Sequence, residues 1–180
     1  WQDKVSNFNP ADYEKTFTYY ESKDGTMVPL TYFHRKNLEI NSETPIFLYG
    51  YGGYNISIRP SFSRKYVGWL ELGGVVAIAN LRGGGELGKR WHNAGRLKEK
   101  QNVFDDFLYA SKYLEANNIG NRKSTVISGR SNGGLLVGTS LVQNPNYFGA
   151  TLPAVGVLDM LRFTEFTEGW GWRGAYGSPL

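Results

Sequence analysis

The sequence predicts an α/β fold, a mostly parallel sheet flanked by helices, and three observations predict it. Short apolar runs at residues 45–49 and 75–79 and a β-like run at 124–128 alternate with segments whose apolar residues recur at helical spacing. The first two runs show no polar alternation, the pattern of strands covered on both faces. After the third run comes Gly129-Arg130-Ser131-Asn132-Gly133, and then Leu135, Leu136, Val137, Leu141 and Val142 at helical spacing. Strands separated by helices require crossover connections, which make the sheet parallel.

Taken in order, residues 1–15 read as polar and irregular. Residues 16–20 and 27–33 are rich in Thr, Tyr and Val, with Asp24-Gly25 between them, and predict a β-hairpin. Residues 37–44 are a polar loop, 45–49 a strand buried on both faces, and Gly50-Tyr51-Gly52-Gly53-Tyr54 a glycine-rich loop. Residues 61–72 place Phe62, Tyr66, Trp69 and Leu70 on one helical face, closed by Gly73-Gly74. Residues 75–79 are the next buried strand and 82–88 a loop. Val103, Phe104, Phe107, Leu108, Ser111 and Leu114 mark a helix. After the glycine-flanked serine, residues 150–155 read as a strand and 160–166 as the start of a helix.

Bulk properties bound the rest. The 180 residues, 41% hydrophobic and 20% charged, suit one domain with a sizeable core. No apolar run approaches the length of a membrane-spanning helix, and Trp1-Gln2-Asp3-Lys4 does not open a signal peptide. The absence of cysteine excludes disulfides and thiolate metal sites and leaves the compartment open. The expectation is cytoplasmic, with secreted or periplasmic locations kept open because the true N-terminus is expected to lie outside this chain. Net charge is +4, and Arg82, Lys89, Arg90, Arg96, Lys98 and Lys100 form a loose basic stretch. Glu86, Glu99, Asp105 and Asp106 interleave it, which predicts a solvated face and not a nucleic-acid footprint.

Chemistry concentrates at Ser131. In a G-x-S-x-G elbow the serine occupies a strained turn between strand and helix that lifts its hydroxyl clear of the backbone. Gly129 and Gly133 flank it because a Cβ at either place would meet a neighbouring strand or helix. The N–H of Asn132, at the helix start, would face a developing oxyanion. The five letters are weak alone; the strand before and helix after carry the reading. Gly83 to Gly88 also fits G-x-G-x-x-G, with Asp105 at the distance a dinucleotide site asks. Polar Lys89, Arg90, His92 and Asn93 follow it and Asp105 falls in a helix, so a structural loop is expected. The two histidines, His34 and His92, are not grouped with metal ligands, and no cofactor or metal is expected. Both precede Ser131, whereas an elbow serine takes its acid and then its histidine from later in the chain. Asp159 reads as a cap or polar surface. The triad is therefore incomplete, and the chain is either no enzyme or a piece of one. Trp170, Trp172 and Tyr176 read as core on composition alone.

Four motifs change that balance. Tyr49-Gly50-Tyr51-Gly52-Gly53-Tyr54-Asn55, Asn80-Leu81-Arg82-Gly83-Gly84-Gly85-Glu86, Lys100-Gln101-Asn102-Val103-Phe104-Asp105-Asp106-Phe107 and Ser131-Asn132-Gly133-Gly134-Leu135-Leu136 together resemble the prolyl oligopeptidase family. The resemblance runs from about Tyr13 to the last residue. It implies an α/β-hydrolase fold, present in part: residues 16–180 as an incomplete catalytic domain and 1–15 as a linker from a missing β-propeller. It implies a serine endopeptidase that cleaves short peptides on the carboxyl side of proline through an acyl-enzyme, with no nucleic-acid or membrane partner. By the resemblance Ser131 is the nucleophile. The backbone N–H of Asn132 and the hydroxyl of Tyr51 form the oxyanion hole. Trp172 stacks on the substrate proline, and Tyr54, Val157 and Tyr176 line the same pocket. Arg130 stands where the family often has Gly, and Tyr54 where it usually has Phe. The acid and the base are expected beyond Leu180, so this segment alone is expected to be inactive. Another α/β-hydrolase such as an esterase, or a non-catalytic binding module, are the competing readings.

Overall fold

The computed structural model describes residues 8–59 and 61–179. Six strands form one sheet: β1 (Tyr13–Glu21), β2 (Met27–Arg35), β3 (Ile46–Tyr49), β4 (Val75–Ala79), β5 (Thr125–Arg130) and β6 (Ala150–Ala154). Their spatial order is β1-β2-β4-β3-β5-β6. The hairpin β1–β2 is antiparallel, from Tyr13 opposite Arg35 to Glu21 opposite Met27. β2 also runs antiparallel to β4, and β4, β3, β5 and β6 are mutually parallel. The hairpin turns at Gly25, whose φ of +84° is open to glycine at little cost. β1 starts at Tyr13, inside the stretch expected to be irregular, because its first residues find partners on a β2 that extends to Arg35.

Helices α1 (Arg64–Glu71), α2 (Lys89–Asn93), α3 (Gln101–Ala116), α4 (Asn132–Gln143) and α5 (Arg173–Tyr176) complete the described chain, with short 3-10 turns between. The core lies on one face of the sheet. Ile46, Leu48, Val75, Ala77, Ala79 and Ile127 pack there against Val103, Phe107, Ala110 and Leu114 of α3, all buried. Those α3 residues recur at helical spacing, and each fully buried large side chain contributes about 1.5–3 kcal/mol. The other face is thinner. Phe47 meets Tyr66 and Trp69 of α1 and stays half-buried, as does Tyr49. The third strand is therefore not buried on both faces as expected: α1 is short and buries only Leu70 fully.

Two helical expectations change. Residues 89–93 form α2, one short helix held by Trp91, whose ring N–H donates to the Leu81 carbonyl at 3.0 Å. The helix expected from residue 160 is only a 3-10 turn, Phe163–Glu165, because Leu161 and Phe166 remain exposed and only Phe163 is buried. No helix of the described residues is long and apolar enough to cross a membrane.

Candidate active site

β5 delivers Ser131 to the top of the sheet. Thr125, Ile127 and Gly129 are buried along it, and Ser131 is exposed at the turn into α4. Ser131 adopts φ 58°, ψ −116°, a conformation a non-glycine residue avoids at a cost of about 1–3 kcal/mol. The surroundings hold it there. Its N–H donates to the Ala154 carbonyl of β6 at 2.9 Å, and its carbonyl accepts from Gly134 and Leu135. A Cβ on Gly129 would sit 2.2 Å from the Gly133 carbonyl oxygen, and one on Gly133 2.7 Å from the Gly50 oxygen. The glycines flanking the serine thus permit backbone to approach backbone. Asn132 begins α4, whose first N–H groups have no acceptor within the helix.

The loop after β3 lies beside this elbow. A Cβ on Gly50 would meet Phe107, Leu81 and Leu136 below 3 Å, and one on Gly53 would meet the Asn132 carboxamide. Gly52 adopts φ +62° against Val103. Those close approaches lay Tyr51 against the elbow, where a Cβ on Gly133 would sit 3.5 Å from the Tyr51 Cα. Burial pushes the Tyr51 phenol above its ordinary pKa, with the nearby Ser131 side chain opposing. Tyr49, at the strand end, is raised chiefly by burial.

Asn132 is a hub. Its Nδ2 donates to the Tyr51 carbonyl, and its Oδ1 accepts from the Tyr176 hydroxyl at 3.0 Å and from Lys100 Nζ at 3.1 Å. Lys100 Nζ also donates to the Gly52 carbonyl at 2.9 Å. Burial lowers its pKa to about 8. Tyr176 meets Tyr54 edge-on at 5.9 Å between ring centroids. Ser131, Tyr51, Asn132, Tyr176 and Tyr54 thus form one connected cluster. Trp172 closes the 3-10 turn Gly169–Trp172 that leads into α5, four residues before Tyr176, and is half-buried. Val157, also half-buried, follows Gly156, which packs on Gly134 of α4.

A second cluster braces the first. Arg82, three residues past the end of β4, is buried, with Nε 3.0 Å and Nη2 2.6 Å from the fully buried Asp106 carboxylate of α3. Nη1 reaches Asp24 of the hairpin turn at 2.5 Å. Ser22 donates to the same Asp106 carboxylate, and Tyr20 to the Asp106 carbonyl. The bond from Arg82 holds Asp24 down at about 2. Gly83 follows directly and wedges against Gly52, where a Cβ would lie 2.7 Å from the Gly52 oxygen. Asn55 N–H donates to the Gly83 carbonyl. The loop from Gly83 to Gly88 is structural. Its Glu86 accepts from Ile58 N–H and from the Asn80 side chain.

Neither histidine is bonded to Ser131. His34 Nδ1 lies 2.9 Å from the Arg35 carbonyl, and His92 Nδ1 2.7 Å from that of Gly83. Asp159 accepts from its neighbour Arg162 at the surface. Among the described residues no group of three or more His, Asp or Glu is placed to hold a metal ion.

With this geometry in hand, comparison with known proteins is decisive. Residues 60–179 match the model of the Prolyl oligopeptidase family. The chain belongs to the prolyl oligopeptidase family. It is 45% identical over 178 residues to the prolyl endopeptidase of Elizabethkingia meningoseptica, a match covering 99% of this chain and 25% of that protein. It is 43% identical to prolyl oligopeptidase A of Amanita bisporigera, covering 98% of this chain and 23% of that protein. Prolyl oligopeptidase B from Galerina marginata, solved with a 25-residue macrocyclization substrate, superposes with a TM-score of 0.94 at 42% identity, over 98% of this chain and 25% of that one. A post-proline cleaving enzyme from Rickettsia typhi superposes with the same TM-score at 36% identity, over 99% and 26%. The chain spans about a quarter of the length of these relatives. Its sheet and helices are part of an α/β-hydrolase fold.

Within that family framework, three side-chain roles escape a reading of the sequence. Arg82 and Lys100 belong to a basic stretch expected to be a solvated face, yet Arg82 is buried on two carboxylates and Lys100 is held inside the site. Lys89, Arg90 and Lys98 are exposed as expected. The carboxamide of Asn132 is the third, since attention falls on its backbone N–H. The available signal was that Arg82, Lys100 and Asp106 each sit within one of the family motifs.

Proposed function

We propose that the complete protein is a serine endopeptidase that cleaves short peptides on the carboxyl side of proline. The observation that carries this reading is Ser131, held at positive φ at the apex of the strand–helix turn with the Tyr51 side chain beside it. Ser131 Oγ attacks the carbonyl carbon of the proline residue. Its proton passes to a base contributed by the rest of the protein. Negative charge collects on the substrate oxygen, where the Asn132 N–H and the Tyr51 hydroxyl donate to it. Collapse expels the amine and leaves an acyl-Ser131 ester, which water then hydrolyses. Trp172, Tyr54, Val157 and Tyr176 line the slot for the proline ring. A rigid ring without a donor loses little entropy in such a slot.

The chain by itself supplies Ser131 with no bonded histidine among its described residues, so residues 1–180 alone are expected to turn nothing over. Partners of the site are short proline-containing peptides, and the remaining segments of the same protein complete it. The test is labelling of the complete protein with a peptidyl-proline phosphonate, followed by kinetics on proline amides and simple alkyl esters. Ser131 modification with a strong preference for proline amides is expected. Preference for alkyl esters would make the protein an esterase on this fold. Absence of labelling would make it a binding module.

A further inference from the structure

Lys100 takes no part in the chemistry above, yet its ammonium is buried beside the loop that carries Tyr51. Among the described residues it bonds only neutral acceptors, the Gly52 carbonyl at 2.9 Å and Asn132 Oδ1 at 3.1 Å, and stands 5.6 Å from the centroid of the Tyr176 ring. Burying a cation against neutral groups costs stability, and a methionine of similar length would fill the space more cheaply. Groups kept at such cost concentrate at functional sites.

The geometry shows what the cost secures. Asn132 Nδ2 holds the Tyr51 carbonyl, and Lys100 holds the next carbonyl along, that of Gly52. Two successive peptide carbonyls of the loop are therefore tied to the elbow helix and the start of α3. The dihedrals between those carbonyls are φ and ψ of Gly52, the freest residue of the loop, so fixing both holds the peptide plane to which the Tyr51 Cα belongs. Lys100 further bonds the carboxamide that makes the other tie, so the two restraints are not independent.

We propose that Lys100 is a positioning residue: by joining the Gly52 carbonyl to the Asn132 carboxamide it holds the Tyr51 hydroxyl where the substrate oxyanion forms. This rests on the assignment of Ser131 and Tyr51 made above. Lys100 touches no reacting atom and acts through Tyr51, so its effect must vanish when the Tyr51 hydroxyl is absent.

The test is a double-mutant cycle in the complete protein, with Lys100→Met, Tyr51→Phe and their combination assayed on a proline amide. Active sites are counted by phosphonate labelling, so misfolded protein does not lower the rate. Lys100→Met is expected to lower kcat by about 10- to 100-fold, as sub-ångström to ångström misplacement does, with KM little changed. In the Tyr51→Phe background the same substitution should cost no more than about twofold, within the scatter of additive sites. Unchanged kcat in Lys100→Met overturns the proposal, and so does a loss that multiplies in full with that of Tyr51→Phe. If Tyr51→Phe itself keeps its kcat, the oxyanion assignment falls and this proposal with it; if only Lys100→Met is silent, the assignment stands and this proposal alone fails. Should Lys100→Met not fold, Lys100→Gln, whose amide can still donate to one carbonyl, carries the same cycle and is expected to lose less.

Discussion

Arg82 and Lys100 lie 18 positions apart in one basic stretch, and both turn inward, Arg82 buried and Lys100 half-buried, but their surroundings are opposite. Arg82 meets two carboxylates, Asp106 and Asp24, and its guanidinium is held above its ordinary pKa by their bonds despite burial. Lys100 meets two carbonyl-type oxygens and two rings, those of Phe104 and Tyr176, and burial lowers it to about 8. The first arrangement suits an anchor: three segments distant in sequence, the hairpin turn, the loop after β4 and α3, converge on one compensated charge. The second suits a site, where stability is given up to fix a loop. A planar guanidinium with several directed donors fits the anchor, and a compact ammonium fits the site. The comparison teaches that the anchor sets where the glycine loop after β4 lies, and the site cluster sets where Tyr51 points.

The largest way to break this contrast is Arg82→Met. It leaves the Asp106 carboxylate buried without a cation, and removing one partner of a buried pair costs about 3–5 kcal/mol. Denaturant unfolding of the complete protein should show that loss for Arg82→Met and none of comparable size for Lys100→Met, where an uncompensated charge is removed instead of created. Equal losses would erase the distinction between anchor and site.

Tyr51→Phe acts next in size, on rate and not on stability. Loss of one oxyanion donor costs about 10²–10³ in kcat. KM should change little, because the charge exists only in the transition state. Tyr49→Phe serves as the control: its hydroxyl stands at the strand end, and a near-neutral result is expected. Wild-type kcat for Tyr51→Phe on a slow amide would remove Tyr51 from the oxyanion hole.

How much of this was legible in the residues follows the same division. The strands at residues 45–49, 75–79 and 124–128 and the helix around Phe107 were legible, because burial imposes a short apolar or β-branched run on a strand and a period on a helix, which each segment carries alone. Ser131 was legible because its turn demands glycine at fixed offsets on either side. Arg82 and Lys100 were not. A cation's partner is chosen by the fold, and the charge pattern from 82 to 100, apart from the motifs that hold Arg82 and Lys100, does not separate them from Lys89, Arg90 and Lys98, which face water. The failed helix after residue 160 has the same origin: Leu161 and Phe166 are apolar, but the described chain offers them no surface to cover.

Trp172→Ala probes a residue outside both clusters. If Trp172 forms the flat wall of the proline slot, the loss in kcat/KM on proline substrates should be about 1–3 kcal/mol, the worth of one aromatic face. Cleavage after alanine should suffer less. Equal losses for the two substrates would assign Trp172 to the fold, as its half-buried place before α5 also allows.

The smallest effect separates the two cations by pH. Folded Asp24 has a pKa of about 2 against an ordinary 3.8, chiefly through its bond from Arg82. Its contribution to stability is present above pH 3.8 and lost as pH falls toward 2, so stability should drop across that window, and Asp24→Asn should flatten the drop. Lys100 slopes in an alkaline window. Its folded pKa is about 8 against 10.5 when unfolded. Between those values the unfolded chain binds more protons than the folded one, so Lys100 makes stability rise with pH, by at most about 1.4 kcal/mol per pH unit for one proton. Tyr13 and Tyr66, pushed up to about 12, add an opposite slope above pH 10. Their share is common to the parent and to Lys100→Met and cancels in the difference. Stability measured from pH 7.5 to 10 should therefore rise more steeply in the parent than in Lys100→Met. Identical slopes would mean that Lys100 keeps an ordinary pKa in the folded protein, and the contrast with Arg82 would lose its electrostatic half.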